Sequence, residues 1–327
     1  MKLHHNPQLF SEIILRASLP CEKGGLGINP LFIEKDYWIT NALYHLANSQ
    51  WCPIAVFKGG TSLSKIYGIG ARFSEDIDIA VIHLPNESDS HLKTTIRAVA
   101  NTMAQDLQEV DHPGATSKGS RYRKVYYSYP QSSQIFPSDG VVQRQLLLEI
   151  NSFANPYPYA LHKVESFIYS YLVQNRFNDI IEEYEISPCN VNVLDKRTTL
   201  TEKAVSLMRF SLSPRPAIDL QAKIRHFYDL HYLLSDSDCQ QYITSEKFRN
   251  DFSSLLEHDR AIFSTPSGWQ MRSISESALI TEWSSLWSTL SKRYSTELPS
   301  LAYSTNVPPA DSVAESVLSL LQIINNL

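Results

Sequence analysis

The sequence predicts an α+β protein: a mixed-sheet module followed by a mostly helical one. Three observations carry that expectation. Apolar runs of strand length alternate with helical patterns up to Phe153. From Thr199 onward, apolar residues recur at helical spacing almost to the end of the chain. Between the two regimes lies the turn-rich stretch NPYPY, which puts the boundary near Asn155 and the domains at 1–155 and 156–327. A length of 327 residues permits two domains, each with a core.

Taken in order, Pro7 to Ala17 predicts a short helix, with Phe10, Ile13, Ile14 and Ala17 on one face. CEKGGLGINP is a glycine-rich connection; it lacks GxGxxG and no strand precedes it. FIEKDYWITNALYHLAN predicts a longer helix. Ile54 to Phe57 and Phe73 to Ile82 predict strands, with a helix between them opened by Gly59-Gly60-Thr61. Glu87 to Val110 has a helical pattern, and DHPGATSKGS is a loop. KVYYSYP and VVQRQLLLEINSF predict two strands joined by the polar loop QSSQIFPSDG; the apolar LLLEI centre fits a strand covered on both faces. ALHKVESFIYSYLV reads as helical, and EEYEISPCNVNVLD as a strand or an extended link. Five helical stretches follow: LTEKAVSLMRFS, DLQAKIRHFYDLHYLLS, EKFRNDFSSLLEHDRAIF, ALITEWSSLWSTLSKRY and DSVAESVLSLLQIINNL.

Composition excludes several classes. Hydrophobic residues make up 43% and charged residues 19%, values of a globular protein and not of a disordered one. The net charge of −5 does not advertise nucleic-acid binding, although a local basic groove is compatible with it. Cys21, Cys52, Cys189 and Cys239 form no CxxC pair, which argues against a zinc knuckle and a disulfide framework and fits a reducing cytoplasm. The N-terminus shows no signal-peptide pattern, and no apolar run reaches the roughly 20 residues of a membrane span. A cytoplasmic protein without a membrane partner is expected.

The chemistry concentrates in KGGTSLSKIYGIGARFSEDIDIAV, Lys58 to Val81. Residues two apart on a strand share a face, so Asp76 and Asp78 point together while Ile77 and Ile79 point to the core. Two adjacent carboxylates repel unless a cation lies between them, and oxygen donors suit Mg²⁺ or Mn²⁺. Read alone, Asp-x-Asp is a weak signal and more often describes solvated acids at a strand end. Gly59 and Gly60 allow close approach of backbone N–H groups, and Thr61 is expected as N-cap or first residue of the following helix. A helix start of that kind is a ready anion site, or simply a strand-to-helix turn. Phosphate cradle and metal pair together would hold a nucleoside triphosphate (NTP). A two-metal site wants a third acid, and Glu149 in LLLEIN is the candidate. The competing reading pairs Glu149 with Arg144 or another base.

RYRKVYYSY, Arg121 to Tyr129, mixes bases and tyrosines, which suits either phosphate contact with base stacking or an aromatic strand with a basic solvent face. Thr199-x-x-Glu202 reads as a capping box that places Lys203 in the first turns of a helix. Arg225 stands four residues before Asp229, the spacing of a helical salt bridge.

Several ordered pieces resemble the AbiEii/AbiGii toxin family of nucleotidyltransferases, within the DNA polymerase β-like superfamily: EKDYW, FKGGTSLSK, RFSEDIDIAV, LLEI, TLTEKA and YDLHYLL. They span about residues 30 to 235, and nothing beyond is matched. The resemblance implies a polymerase β-like nucleotidyltransferase core with a mixed sheet, then a helical domain closing the nucleotide cleft. It implies that Gly60 and Thr61 belong to the phosphate-binding turn, with Gly59, and that Asp76, Asp78 and Glu149 bind metal. The superfamily more often has aspartate at the third position. It assigns Lys203 to nucleotide binding or catalysis and puts Asp229 near the active site. Lys58, Ser62, Lys65 and Arg72 are second-tier candidates for nucleotide binding. Glu34, Lys35 and Asp36 are expected to be structural.

The implied activity is metal-dependent transfer of NMP from an NTP to an acceptor, with release of pyrophosphate. The implied setting is the toxin of a bacterial toxin–antitoxin or phage-defence pair, with an antitoxin partner. For some members the acceptor is the tRNA acceptor end. A protein side chain, a small-molecule hydroxyl, or an NTP-binding interaction protein without turnover are the alternatives.

Overall fold

Asn6-Pro7 and Asn29-Pro30 open the first two long helices for the same reason. Each asparagine side chain accepts from a first-turn amide, Leu9 N–H at 3.2 Å and Leu31 N–H at 2.9 Å, and each proline occupies a position whose N–H has no helical acceptor. These helices are α1 (Pro7–Ser18) and α2 (Pro30–Ala47). The computed structural model describes residues 1–74, 76–83, 87–112, 115–130, 132, 144–303 and 307–327; most of the QSSQIFPSDG loop lies outside them.

The chain divides into two compact units, Met1–Gly68 with Phe73–Leu194, and Ile69–Arg72 with Asp195–Leu327. The first unit continues with β1 (Ala55–Lys58), α3 (Gly59–Lys65), β2 (Asp76–Val81), α4 (Asp89–Met103), β3 (Gln108–Val110), β4 (Ser117–Lys118), β5 (Tyr122–Ser128) and β6 (Gln145–Asn151). It closes with β7 (Tyr159–Val164), α5 (Phe167–Gln174), α6 (Asn178–Glu183) and β8 (Cys189–Leu194). One mixed sheet runs in the order β3-β5-β6-β2-β1-β8-β7, and β4 pairs with β5. Strands β2 and β6 are parallel, as are β1 and β8; the other pairs are antiparallel.

Three readings of this region change. The end of the Glu87–Val110 pattern leaves the helix and forms β3, and the DHPGATSKGS loop contains β4. ALHKVES is not helical: β7 pairs with β8 at the sheet edge, and the helix starts only after Ser166, whose hydroxyl accepts from Tyr169 N–H at 3.0 Å. Leu161 and Val164 extend the helical stripe of Ile168 back into β7 because an edge strand need not alternate; Leu161 is exposed. β7 and β8 carry the sheet past Asn155, so the unit boundary falls at Leu194.

Helix α2 is buried on nearly all sides, so Glu34, Lys35 and Asp36 form no solvated face. Asp36 accepts from Lys65 Nζ at 2.5 Å and from Phe167 N–H at 2.8 Å, tying α2 to α3 and α5. Glu34 accepts from Ser132 N–H at 3.1 Å, and burial pushes its carboxyl pKa up.

The second unit is helical among its described residues: α7 (Lys196–Ser211), α8 (Pro216–Gln221), α9 (Ile224–Ser235), α10 (Ser237–Ile243), α11 (Glu246–Ile262), α12 (Ala278–Thr281), α13 (Trp283–Leu301) and α14 (Ala310–Asn325). Helix α7 corrects the capping-box reading. It begins at Lys196 with Asp195 as N-cap, accepting from Arg197 N–H at 2.8 Å. Thr199 therefore lies inside the helix, and its N–H donates to Asp195 O. No described helix is long and apolar enough to cross a membrane.

Candidate active site

Strand β2 alternates as the sequence predicts. Ile77 and Ile79 are buried, while Asp76 and Asp78 are half-buried on the other face. The parallel register sets Asp78 opposite Glu149 of β6 and Asp76 opposite Leu147. On the other side of β2, Asp78 faces Lys58 at the end of β1. Three acids thus share one face of two neighbouring strands, immediately beside the β1–α3 turn.

That turn requires glycine. Gly59 has φ +81°, and a Cβ built there would lie 2.2 Å from Asp78 Oδ2. The space a side chain would fill is taken by the carboxylate. Helix α3 starts at Gly59 with Lys58 as N-cap, so Thr61 is its third residue and not its cap. The Thr61 hydroxyl donates to Asp76 O and the Ser62 hydroxyl to Gly59 O, at 2.5 and 2.9 Å. These bonds tie the first turn to β2 and to itself. No side chain caps α3. Gly59→Ala is therefore expected to cost about 1–2 kcal/mol of stability from backbone conformation and, by displacing Asp78, to lower turnover about 100-fold. Thermal melts and steady-state kinetics on the same preparation check both.

Glu149 is held by two residues of β5. Lys124 Nζ lies 2.8 Å from Oε1, and the Tyr122 hydroxyl donates to Oε2 at 3.0 Å. Burial lowers the Lys124 pKa, but the bond to Glu149 outweighs it, so the ammonium is stabilised. Burial and the carboxylate keep Tyr122 protonated. Lys124 is thus the base that pairs with Glu149, while Arg144 Nη1 lies 3.9 Å from Glu34. Among the described residues, Asp76, Asp78 and Glu149 do not bring three oxygens into one tight cluster. An all-carboxylate donor set nevertheless suits a hard divalent cation, with the aspartate pair as its core.

Lys203 and Asp229 meet in the second unit. Arg72 holds Asp229 through both oxygens, Nε to Oδ1 and Nη2 to Oδ2, each at 2.7 Å. Lys203 Nζ adds a contact at 2.8 Å. All three side chains are at most 7% exposed, so the cluster is an interior one in which two cations share Asp229. Burial pushes the Asp229 carboxyl up, but the two cations hold it well below the usual carboxylate range. The i,i+4 reading fails because Arg225 pairs with Glu297 at 3.0 Å. Of the second-tier candidates, Lys65 pairs with Asp36 and Arg72 with Asp229; each lies in a buried pair.

Sequence reasoning missed the roles of Tyr122 and Lys124. Their i,i+2 spacing, with Lys124 opposite Glu149 and Tyr122 opposite Asn151 on the same face, was the available signal once the strands were paired. It also missed a cluster of His4, His5 and Asp106, whose ligand-type atoms lie within 4.8 Å of one another. No spacing in the chain joins residues so far apart. Burial takes the His4 pKa down to about 4, and its Nδ1 lies 2.9 Å from the Tyr37 hydroxyl.

A mixed sheet with an acid pair beside a glycine turn is the arrangement of a nucleotidyltransferase. Residues 41–316 match the family described as "Nucleotidyl transferase AbiEii toxin, Type IV TA system", and the chain belongs to that family. The match runs well past residue 235, where the recognisable motifs end. Among solved structures, the chain is similar to MenT4, a nucleotidyltransferase toxin from Mycobacterium tuberculosis H37Rv. The two share 15% identity, with 94% of this chain and 98% of that one covered and a TM-score of 0.48. No curated protein matches. The chain is therefore a nucleotidyltransferase toxin of a type IV toxin–antitoxin system, with an NTP as substrate and an antitoxin as partner.

Proposed function

We propose that this protein transfers NMP from an NTP to the acceptor end of tRNA in the bacterial cytoplasm, in a Mg²⁺- or Mn²⁺-dependent reaction. The observation that carries the reading is the shared face of Asp76, Asp78 and Glu149 beside the Gly59 turn. Asp76 and Asp78 would hold the divalent cation, which supplies charge neutralisation at the phosphoryl oxygens. Gly60 and Thr61 offer backbone N–H groups to the triphosphate. Lys203, paired with Asp229, would supply a positive charge to the triphosphate. Glu149, with its charge shared by Lys124 and Tyr122, accepts a hydrogen bond from the attacking hydroxyl and orients it. Attack of that hydroxyl on the α-phosphorus forms a new phosphodiester while the bond to the α–β bridging oxygen breaks; pyrophosphate leaves, and the hydroxyl proton passes to Glu149. The free cysteines fit a reducing compartment.

Incubating the protein with α-labelled NTPs, Mg²⁺ and total bacterial RNA tests the reading. Label in a tRNA band, lost with EDTA, is the expected result. Label in protein or in a small-molecule fraction instead would replace the acceptor, and no label in any fraction would remove the transfer step.

A further inference from the structure

Outside the acid face, the first unit has a second polar feature. A cavity of about 330 Å³ lies between helix α4 and the β4–β5 pair. Lys93, Arg97, Lys118 and Arg123 line it, with Ser90 and Thr94. Lys93 and Arg97 are exposed and one helical turn apart, and neither forms an ion pair with a described residue. One carboxylate, Glu109, is shared by Lys118, at 2.5 Å, and Arg123, at 3.5 Å. The cavity is therefore strongly positive, in a chain of net charge −5.

Arg123 supplies the second observation. Its side chain is 10% exposed, yet its Nε has no hydrogen-bond partner. A guanidinium cannot shed its charge to escape burial, so an orphaned N–H here awaits an acceptor. Phosphate oxygens are the acceptors that fit a guanidinium with ammonium groups around it.

The cavity is distinct from the acid face. Successive strand residues point to opposite faces, and Lys124 is the residue that meets Glu149. Arg123 therefore lies on the other side of the sheet. It is reached around the edge where β4 pairs with β5, Lys118 opposite Arg123. Exposed cations along α4 and β4 extend the charge beyond what one small anion needs, which favours a polyanion.

We propose that this cavity binds backbone phosphates of an RNA, anchoring it around the sheet edge. This rests on the RNA-acceptor reading above and adds a binding site to it. The test is fluorescence anisotropy with a labelled tRNA transcript over a salt series, for wild type and the double variant Lys93→Gln/Arg97→Gln. Both positions are exposed, so the variant is expected to fold. Its affinity should fall about tenfold near 0.1 M salt, and the slope of log K against log salt should flatten by about 1.5. A charge-matched control on α11 and α13, Lys247→Gln/Lys292→Gln, should bind as wild type does. Equal affinity and slope in wild type and the α4 variant would overturn the inference, as would an equal loss in the control or no binding by wild type. Binding is read without turnover. RNA bound through α4 but never labelled would leave this site standing and remove the transfer reading. RNA labelled equally well by both proteins, with unchanged KM for RNA, would do the reverse.

Discussion

Asp76→Ala and Asp78→Ala should each lower NMP transfer by about a thousandfold or more, with stability changed by about 0.5 kcal/mol or less. The two effects separate because the acids are half-buried on the polar face of β2, whereas the core is made by Ile77 and Ile79 on the other. Removing one acid takes away one of the two proposed metal ligands and also relieves the repulsion between the pair. A thousandfold corresponds to about 4 kcal/mol of transition-state stabilisation, the scale on which a divalent cation acts at a phosphoryl oxygen. Transfer assays with the two variants, alongside urea denaturation, give both numbers. Retained transfer in either variant would sink the metal assignment. Lost transfer together with a lost cooperative transition would reduce the acids to a folding role.

The largest stability effect is expected at Asp229. Asp229→Ala removes the buried carboxylate that Arg72 and Lys203 share, which should cost about 3–5 kcal/mol. Lys203→Met should cost much less, because the two-bond Arg72–Asp229 pair stays intact and neutral. That asymmetry is the signature of a cluster with two cations on one acid. If Lys203 binds the triphosphate, Lys203→Met should also raise KM for NTP while the urea midpoint barely moves. Equal destabilisation by both substitutions would mean that Lys203 serves the fold alone. The depressed Asp229 pKa sets the pH window. Its contribution is full above the ordinary carboxylate range and is lost only as pH falls through that range toward the folded value. Between pH 6 and 8 the cost of Asp229→Ala should therefore be constant.

Much of the acid face was readable from local pattern. Asp-x-Asp between isoleucines sets a strand with one polar side, and two glycines after an apolar run set a tight turn into a helix. Both follow from periodicities of two to four residues, which a chain displays along its own length. The turn at Gly59 was legible for the same reason. Its need for glycine was not, because the obstacle is Asp78, which belongs to the next strand.

What failed depended on partners distant in the chain. ALHKVES carries apolar residues at helical spacing, yet β8 offers it an open sheet edge, and backbone pairing prevails. Thr199-x-x-Glu202 looks like a helix start, yet Asp195 caps the helix earlier. Arg225 stands at the right spacing for Asp229, yet Arg72 and Lys203 reach that carboxylate first and Arg225 turns to Glu297. Local order alone therefore carried the fold class, the acid pair and the glycine turn. Which cation neutralises which acid, and where an edge strand replaces a helix, was settled only on folding. A buried charge takes whichever opposite charge the packed chain brings within about 3 Å, and spacing along the sequence does not encode that distance.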